Sequence, residues 1–330
     1  MSMTAEEFKN SLKGLVVVQF CPYTKEGEVD FEGIKENTKF IVDFAKDGNK
    51  DVALMTNGST TEFYANSIEE QKKVIKVSVD TVGGAIPVIA GVSQAAARQT
   101  IRMAKYAEEA GADCAMLLPP YLMHTGKEGT YQYFKTVAEA VNIGIMVYND
   151  PSKGGTLLPT DLVARLAKIE NIVAYKDCTP DAGDYPFNAL IDPEDMVLIN
   201  GMDELYYVAS AAYGARYRGF ASEYANFAPR LSYDIYEAVE AENFKKAHEA
   251  LKKLFPLWSF VGKVQSSRES ISVLPVFLRA STPYISIGKT AMNLVGLRGG
   301  TYNREQLPLE ELTDEEKKEL KGVLEEIGII

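Results

Sequence analysis

Short apolar, β-branched runs alternate with amphipathic stretches along most of the chain. Leu15–Tyr23 reads as a strand, and Gly33–Ala45 then repeats its apolar residues at helical intervals. Val52–Thr56 is a second strand. Ser67-Ile68-Glu69-Glu70 is a capping box that opens a helix running to about Val82. Pro87–Val92 is a third strand, with Ser93 placed to cap a helix through Ala110, and Cys114–Leu118 precedes a helix from about Lys127 to Val141. Gly144–Tyr148 precedes Pro159–Lys168, Ile172–Lys176 precedes Ala182–Leu190, and Met196–Asn200 precedes Asp203–Tyr213. Arg216–Ala221 is the eighth strand.

Eight strands, each followed by a helix, predict an α/β fold of the (β/α)8 TIM-barrel type. The strands are apolar at nearly every position, as parallel strands covered on both faces must be. The competing doubly wound sheet would place GxGxxG after its first strand; Cys21-Pro22-Tyr23 stands there instead. Beyond residue 228 the strand signal stops. Leu231–Glu242 and Phe244–Phe255 read as a helical pair, Ser259–Ser286 is mixed, and Ile287–Val295 and Thr313–Ile327 are helical. Thr313-Asp314-Glu315-Glu316 is a second capping box, and the charged run through Glu326 reads as a solvated helix face. The expected division is a barrel over 1–227 and a helical region over 228–330 packed on it.

Composition narrows the function classes. The 330 residues are 46% hydrophobic and 25% charged, an ordinary globular balance. A formal charge of −11 with no basic stripe excludes a nucleic-acid partner. No apolar run has the roughly 20 residues that span a bilayer. The N-terminus has no basic segment followed by an apolar core, so no leader is expected. Three widely spaced cysteines, Cys21, Cys114 and Cys178, argue against a disulfide framework and for a reducing, cytoplasmic setting. With two histidines and no HxH, HExxH or CxxC, a zinc site is not expected.

In such barrels chemistry collects at the C-terminal ends of the strands. Those ends carry Asn57-Gly58-Ser59-Thr60-Thr61-Glu62, Pro119-Pro120-Tyr121, Tyr148 through Lys153, Lys176, Asn200 through Asp203, and Gly219-Phe220-Ala221-Ser222. Lys176 is the most informative of these. It closes the apolar run Ile172-Val173-Ala174-Tyr175, and an ammonium is costly to bury unless it is paired, neutralised or used. Taken alone, a lysine there is more often a rim charge snorkelling to water. Tyr148 alone is more often a core tyrosine with a satisfied hydroxyl. Gly58-Ser59-Thr60 alone is as readily a capped loop as an anion cradle, and Lys153 alone is a solvated loop charge. Together they place an amine, a phenol, hydroxyls and an anion nest at one mouth, which suits a 2-oxo acid.

Three motifs carry a resemblance over nearly the whole chain. Gly58-Ser59-Thr60-Thr61-Glu62, Tyr148-Asn149-Asp150-Pro151-Ser152 and Tyr175-Lys176-Asp177 lie in that order on strands two, five and six. The sequence resembles the dihydrodipicolinate synthase / N-acetylneuraminate lyase family of class I Schiff-base aldolases and dehydratases. The resemblance implies that Lys176 forms the imine and Tyr148 relays protons. It implies that Ser59 and Thr60 hold the keto-acid carboxylate, that one of these hydroxyls (Thr60) joins the relay, and that Ala221 faces the substrate through its backbone. It implies a lyase acting on pyruvate or a sugar-derived 2-oxo acid, needing no cofactor and assembling as a homodimer or homotetramer.

Two positions depart from the synthase branch. Leu122 stands where that branch has a second tyrosine, and Lys153 where it has an arginine; a lysine cannot form the same bidentate fork. Pro119-Pro120-Tyr121-Leu122, Thr61-Glu62-Phe63-Tyr64 and Lys176-Asp177 look more like the 5-dehydro-4-deoxyglucarate dehydratase and related catabolic branches. A synthase condensing pyruvate with an aldehyde is the alternative, and a non-catalytic keto-acid-binding barrel is the alternative of another class. Asp177 should point away from Lys176, while Cys178 reads as packing and His124 as a surface histidine.

Overall fold

The computed structural model describes residues 2–181, 187, 191–268, 283–301, 303–304, 307–308 and 311–330. Eight parallel strands close into a barrel in chain order: β1 (Gly14–Val18), β2 (Val52–Thr56), β3 (Val88–Gly91), β4 (Cys114–Leu117), β5 (Gly144–Asn149), β6 (Ile172–Asp177), β7 (Val197–Asn200) and β8 (Tyr217–Ser222). The helices Phe31–Lys46, Ile68–Val82, Ala97–Ala110, Lys127–Ala138, Thr160–Leu166 and Glu204–Ala212 stand between strands. The helix expected over Ala182–Leu190 falls almost wholly outside the described residues. No helix of the described residues is long and apolar enough to cross a membrane.

The period-two alternation of strand side chains sorts the core into two shells. Leu15, Val17, Leu54, Ile145 and Tyr175 pack outward against the helices. Val16, Val18, Met55, Met116, Met146, Tyr148 and Ala174 fill the barrel interior. Helix Ala5–Ser11 closes the N-terminal end of that interior. Phe8 and Leu12, both fully buried, join the inner shell, and Thr4 with Glu7 forms the capping box that starts the helix. The same Thr4…Glu7 spacing was available in the sequence.

Several boundaries differ from expectation. β1 ends at Val18, short of the expected Tyr23, and the next residue brings a buried amide. Gln19 N–H still donates to the Met55 carbonyl at 2.9 Å, while its side chain donates to Thr38 Oγ1 at 2.8 Å and accepts from Thr56 Oγ1 at 2.6 Å and Ser78 Oγ at 3.0 Å. Ser93 caps no helix. Its hydroxyl accepts from the Leu118 N–H at 2.9 Å, tying the end of β3 to that of β4, and the helix begins later at Ala97 with no side-chain cap.

Helix Phe244–Ser267 runs straight through Pro256 rather than ending at Phe255. An interior proline costs about 3 kcal/mol. Burial of Leu254, Leu257, Phe260 and Val264 on one face, at roughly 1.5–3 kcal/mol per large apolar side chain, outweighs that. Residues 269–282, within the segment read as mixed, are outside the described residues. The following helix spans Pro283–Leu294, and the last, Asp314–Glu326, starts at the expected Thr313 box. Helix Pro229–Glu240 lies against β1 and helix Glu204–Ala212, and the outer shell continues from the barrel into the C-terminal helices without a break.

A buried ion pair joins those helices to the barrel mouth. Lys289, on helix Pro283–Leu294, is fully buried and donates to Glu62 Oε2 at the end of the turn after β2. Its nitrogen also lies 4.4 Å from the centroid of the Tyr23 ring. Removing one member of such a pair strands a buried charge, so Lys289→Met should lose about 3–5 kcal/mol in urea unfolding. Lys289→Met combined with Glu62→Gln should recover most of that loss; a double variant as unstable as the single one would refute the ion pair as its source.

Candidate active site

The parallel strands point all their C-terminal ends to one mouth. Tyr148 and Lys176 are register partners on the adjacent strands β5 and β6, so both side chains enter the barrel at the same level. Lys176 is 5% exposed. Its Nζ lies 4.6 Å from the centroid of the Tyr148 ring and 3.6 Å from Met55 Sδ, and among the described residues it has no carboxylate partner. Gly201 makes room for its stem: a Cβ at that position would stand 3.1 Å from Lys176 Cγ and 2.3 Å from Cys178 Sγ.

The turn after β2 is held from several sides. Asn57 and Glu62 adopt left-handed backbone conformations with φ of 52° and 57°, a cost that surrounding contacts must offset. Asn57 Nδ2 donates to the Gly91 carbonyl at 2.8 Å, Thr61 Oγ1 to the Gln19 carbonyl at 2.7 Å, and Lys289 grips Glu62. The result aims two hydroxyls at the mouth. Ser59 Oγ lies 3.1 Å from the Tyr148 hydroxyl, while Thr60 and Tyr284 line the same cavity. The hydroxyl that meets the phenol is therefore that of Ser59.

Tyr148 donates to Asp150 Oδ2 at 2.8 Å. Burial, and then the Asp150 charge, push the ionisation of this phenol well above its ordinary range, so it stands as a proton donor. Asp150 is in turn the cap of the short helix Pro151–Gly154. Its Oδ1 accepts from Ser152 N at 3.0 Å, Ser152 Oγ at 2.6 Å and Lys153 N at 3.2 Å. Lys153 Nζ then donates to Ser152 Oγ at 3.0 Å. A continuous hydrogen-bonded chain thus runs from Lys153 through Ser152, Asp150 and Tyr148 to Ser59.

Ser59, Thr60, Tyr148, Lys153, Lys176 and Ala221 all line one cavity of about 250 Å³. Gly58 lies behind it, where a Cβ would stand 3.4 Å from Met116 Cε. Asp177 faces the other way, accepting from Thr179 N at 3.0 Å and from the Tyr217 hydroxyl. Cys178 donates to the Gly201 carbonyl at 3.2 Å, and burial holds its thiol far above the ordinary range. His124 is exposed, 3.4 Å from Thr156 Oγ1, and Leu122 is 69% exposed.

The cavity residues given no role from the sequence include Asp150, which was quoted only as part of a motif, Glu223 and Tyr284. Asp150-Pro151-Ser152 carried a usable signal, since an aspartate before a proline marks a helix start. Glu223 follows β8, and burial first, then the nearby Glu204 charge, push its carboxyl up to about 7. No local pattern announces it. Tyr284 belongs to a stretch whose pattern is mixed.

Known proteins share the sequence pattern and the fold of this chain. Residues 11–327 match the profile of the dihydrodipicolinate synthetase family. The 4-hydroxy-tetrahydrodipicolinate synthases of Archaeoglobus fulgidus and Methanocaldococcus jannaschii are each 32% identical, over 96% of this chain and 99% of theirs. The crystal structure of dihydrodipicolinate synthase from Aquifex aeolicus superposes with a TM-score of 0.80 at 30% identity, covering 96% of this chain and 98% of that one. With the fold, the coverage and the identity in agreement, this chain belongs to the dihydrodipicolinate synthetase family and is a lyase of the class I Schiff-base type.

Proposed function

We propose that Lys176 forms an imine with C2 of a 2-oxo acid, pyruvate being the simplest, and that the enzyme then makes or breaks a bond at the neighbouring carbons. The observation that carries this is a buried amine that has no carboxylate partner among the described residues, beside a phenol that is held protonated. A lysine brought into the barrel interior at the cavity supplies the amine that carbonyl attack requires. Once formed, the iminium withdraws electrons from C3. Loss of a C3 proton then expels a C4 hydroxyl, giving dehydration; cleavage or formation of the C3–C4 bond gives aldolase chemistry. Ser59 and Thr60 are placed to hold the carboxylate, and Tyr148 to move the proton.

A second reading, condensation of pyruvate with an aldehyde, is favoured by the names of the relatives at 32% identity. Lys153 at the cavity wall supports it by offering a positive charge to an anionic partner. Assembly as a homodimer or homotetramer belongs to the same reading. The exposure of Leu122 and Met123 on the loop after β4 supports it, since exposed apolar side chains gain from being covered.

Borohydride with pyruvate should fix one pyruvate-derived adduct per chain, read as a mass increment, and Lys176→Ala should show neither adduct nor turnover. Equal labelling of that variant would end the proposal. Screening 2-oxo acids alone, and pyruvate with aldehydes, for product then separates the lyase and synthase readings. Tyr148→Phe should still form the adduct while its turnover falls about 10²–10⁴-fold, the usual worth of a positioned acid–base group.

Glu223 yields a pH dependence. Its carboxyl gains a negative charge in the cavity as pH rises through about 7. That charge repels the substrate carboxylate, so the KM for pyruvate should climb across this range. Glu223→Gln should flatten the climb, and an unchanged profile in that variant would refute the assignment.

A further inference from the structure

We propose that Asp150 is the terminus of the proton relay, taking up through Tyr148 the proton that leaves substrate C3. This rests on the imine reading above and assigns a proton acceptor within the same chain.

The direction of the hydrogen bonds carries the inference. A carboxylate only accepts. At 2.8 Å, Tyr148 must therefore spend its single hydroxyl proton on Asp150 Oδ2. The phenol oxygen is left as an acceptor toward Ser59, whose Oγ, 3.1 Å away, becomes the donor. The three groups are thus polarised one way, from the turn after β2, through the phenol, to the carboxylate. The other Asp150 oxygen already accepts from Ser152 N, Ser152 Oγ and Lys153 N. Oδ2 is the atom open to a proton.

The phenol cannot do the work by itself. Burial and the adjacent carboxylate keep a free phenolate out of reach at neutral pH. A proton arriving at the Tyr148 oxygen must displace the one already there in the same event, and Asp150 is in contact to receive it. In the balanced step the C3–H bond breaks and its electron pair becomes the C2=C3 bond of an enamine. The iminium nitrogen takes back the displaced pair. The C3 proton joins the phenol oxygen as the phenol's own proton passes to Asp150 Oδ2. In the return direction the neutral Asp150 acid gives its proton back through Tyr148, either to the hydroxyl leaving C4 as water or to the oxygen of an incoming aldehyde.

Asp150 acts through Tyr148 and is a positioning and proton-storing residue, so its test must separate that role from capping the helix Pro151–Gly154. Asparagine and serine cap helices about as well as aspartate, and neither is a base. Pyruvate alone serves as the probe. Exchange of its C3 protons in deuterated water is followed by proton NMR, and borohydride adducts are counted by mass on the same samples.

Asp150→Asn and Asp150→Ser should form the adduct to the wild-type extent while exchange slows about 10²-fold. Exchange within about threefold of wild type in both variants, with the adduct intact, would overturn the relay and leave the imine reading standing. Loss of the adduct in both variants would place Asp150 in folding or imine formation and also overturn it. Wild-type protein that neither labels nor exchanges would overturn the imine reading itself.

Discussion

The pairing of β5 with β6 governs this protein. Parallel register sets Tyr148 beside Lys176, and the period-two alternation turns both into the barrel while sending Tyr175 and Asp177 outward. A slip of one residue on β6 would put the aspartate in the interior and the amine among the outer helices. The apolar faces on both sides forbid that slip, because every other side chain of the strand would change shell with it. The chemistry of the mouth therefore inherits its precision from ordinary core packing.

The same packing commits most of the neighbouring acids to partners other than the amine. Several carboxylates stand around the mouth with partners of their own. Glu62 is paired with Lys289, Glu204 is held by Ser222 and Ser232, and Asp177 is engaged by Thr179 and Tyr217. Asp150 is turned toward Tyr148 and the N–H groups of the helix it caps. Such buried carboxylates are costly without donors, and the donors they meet, at Oε1 alone in Glu204, also aim them away from Lys176. Electrostatic order at the mouth is thus a consequence of hydrogen-bond satisfaction. The Lys289–Glu62 pair extends it to the C-terminal helices, which hold the turn that presents Ser59 and Thr60.

Much of this was legible along the chain. The alternation of apolar runs with amphipathic stretches identifies eight strands and their closing architecture, because burial on both faces leaves a strong one-dimensional signal. The two capping boxes at Ser67 and Thr313 mark helix starts for a local reason, a side chain meeting a backbone N–H three residues on. Local signals mislead where a distant partner intervenes. Ser93 looks like a cap and instead binds Leu118 across the strand ends, and Pro256 looks like a stop in a helix whose buried face carries it through.

At the mouth, residue types and order along the chain are enough to name Lys176, Tyr148, Ser59, Thr60 and Lys153 as candidates, since a strand end is a local property and the barrel sends all such ends to one side; Ala221 was added by the family resemblance alone. Contact between them is not a local property. That Ser59 rather than Thr60 meets the phenol depends on how a left-handed turn is gripped by Gln19, Gly91 and Lys289, which lie on three other parts of the chain. That Asp150 receives the Tyr148 proton, and that Glu223 titrates near neutrality, depend on distances and burial created only when the strands close. Periodicity is written residue by residue and survives in one dimension; the direction of a hydrogen bond and the cost of a buried charge exist only between groups that folding has brought together.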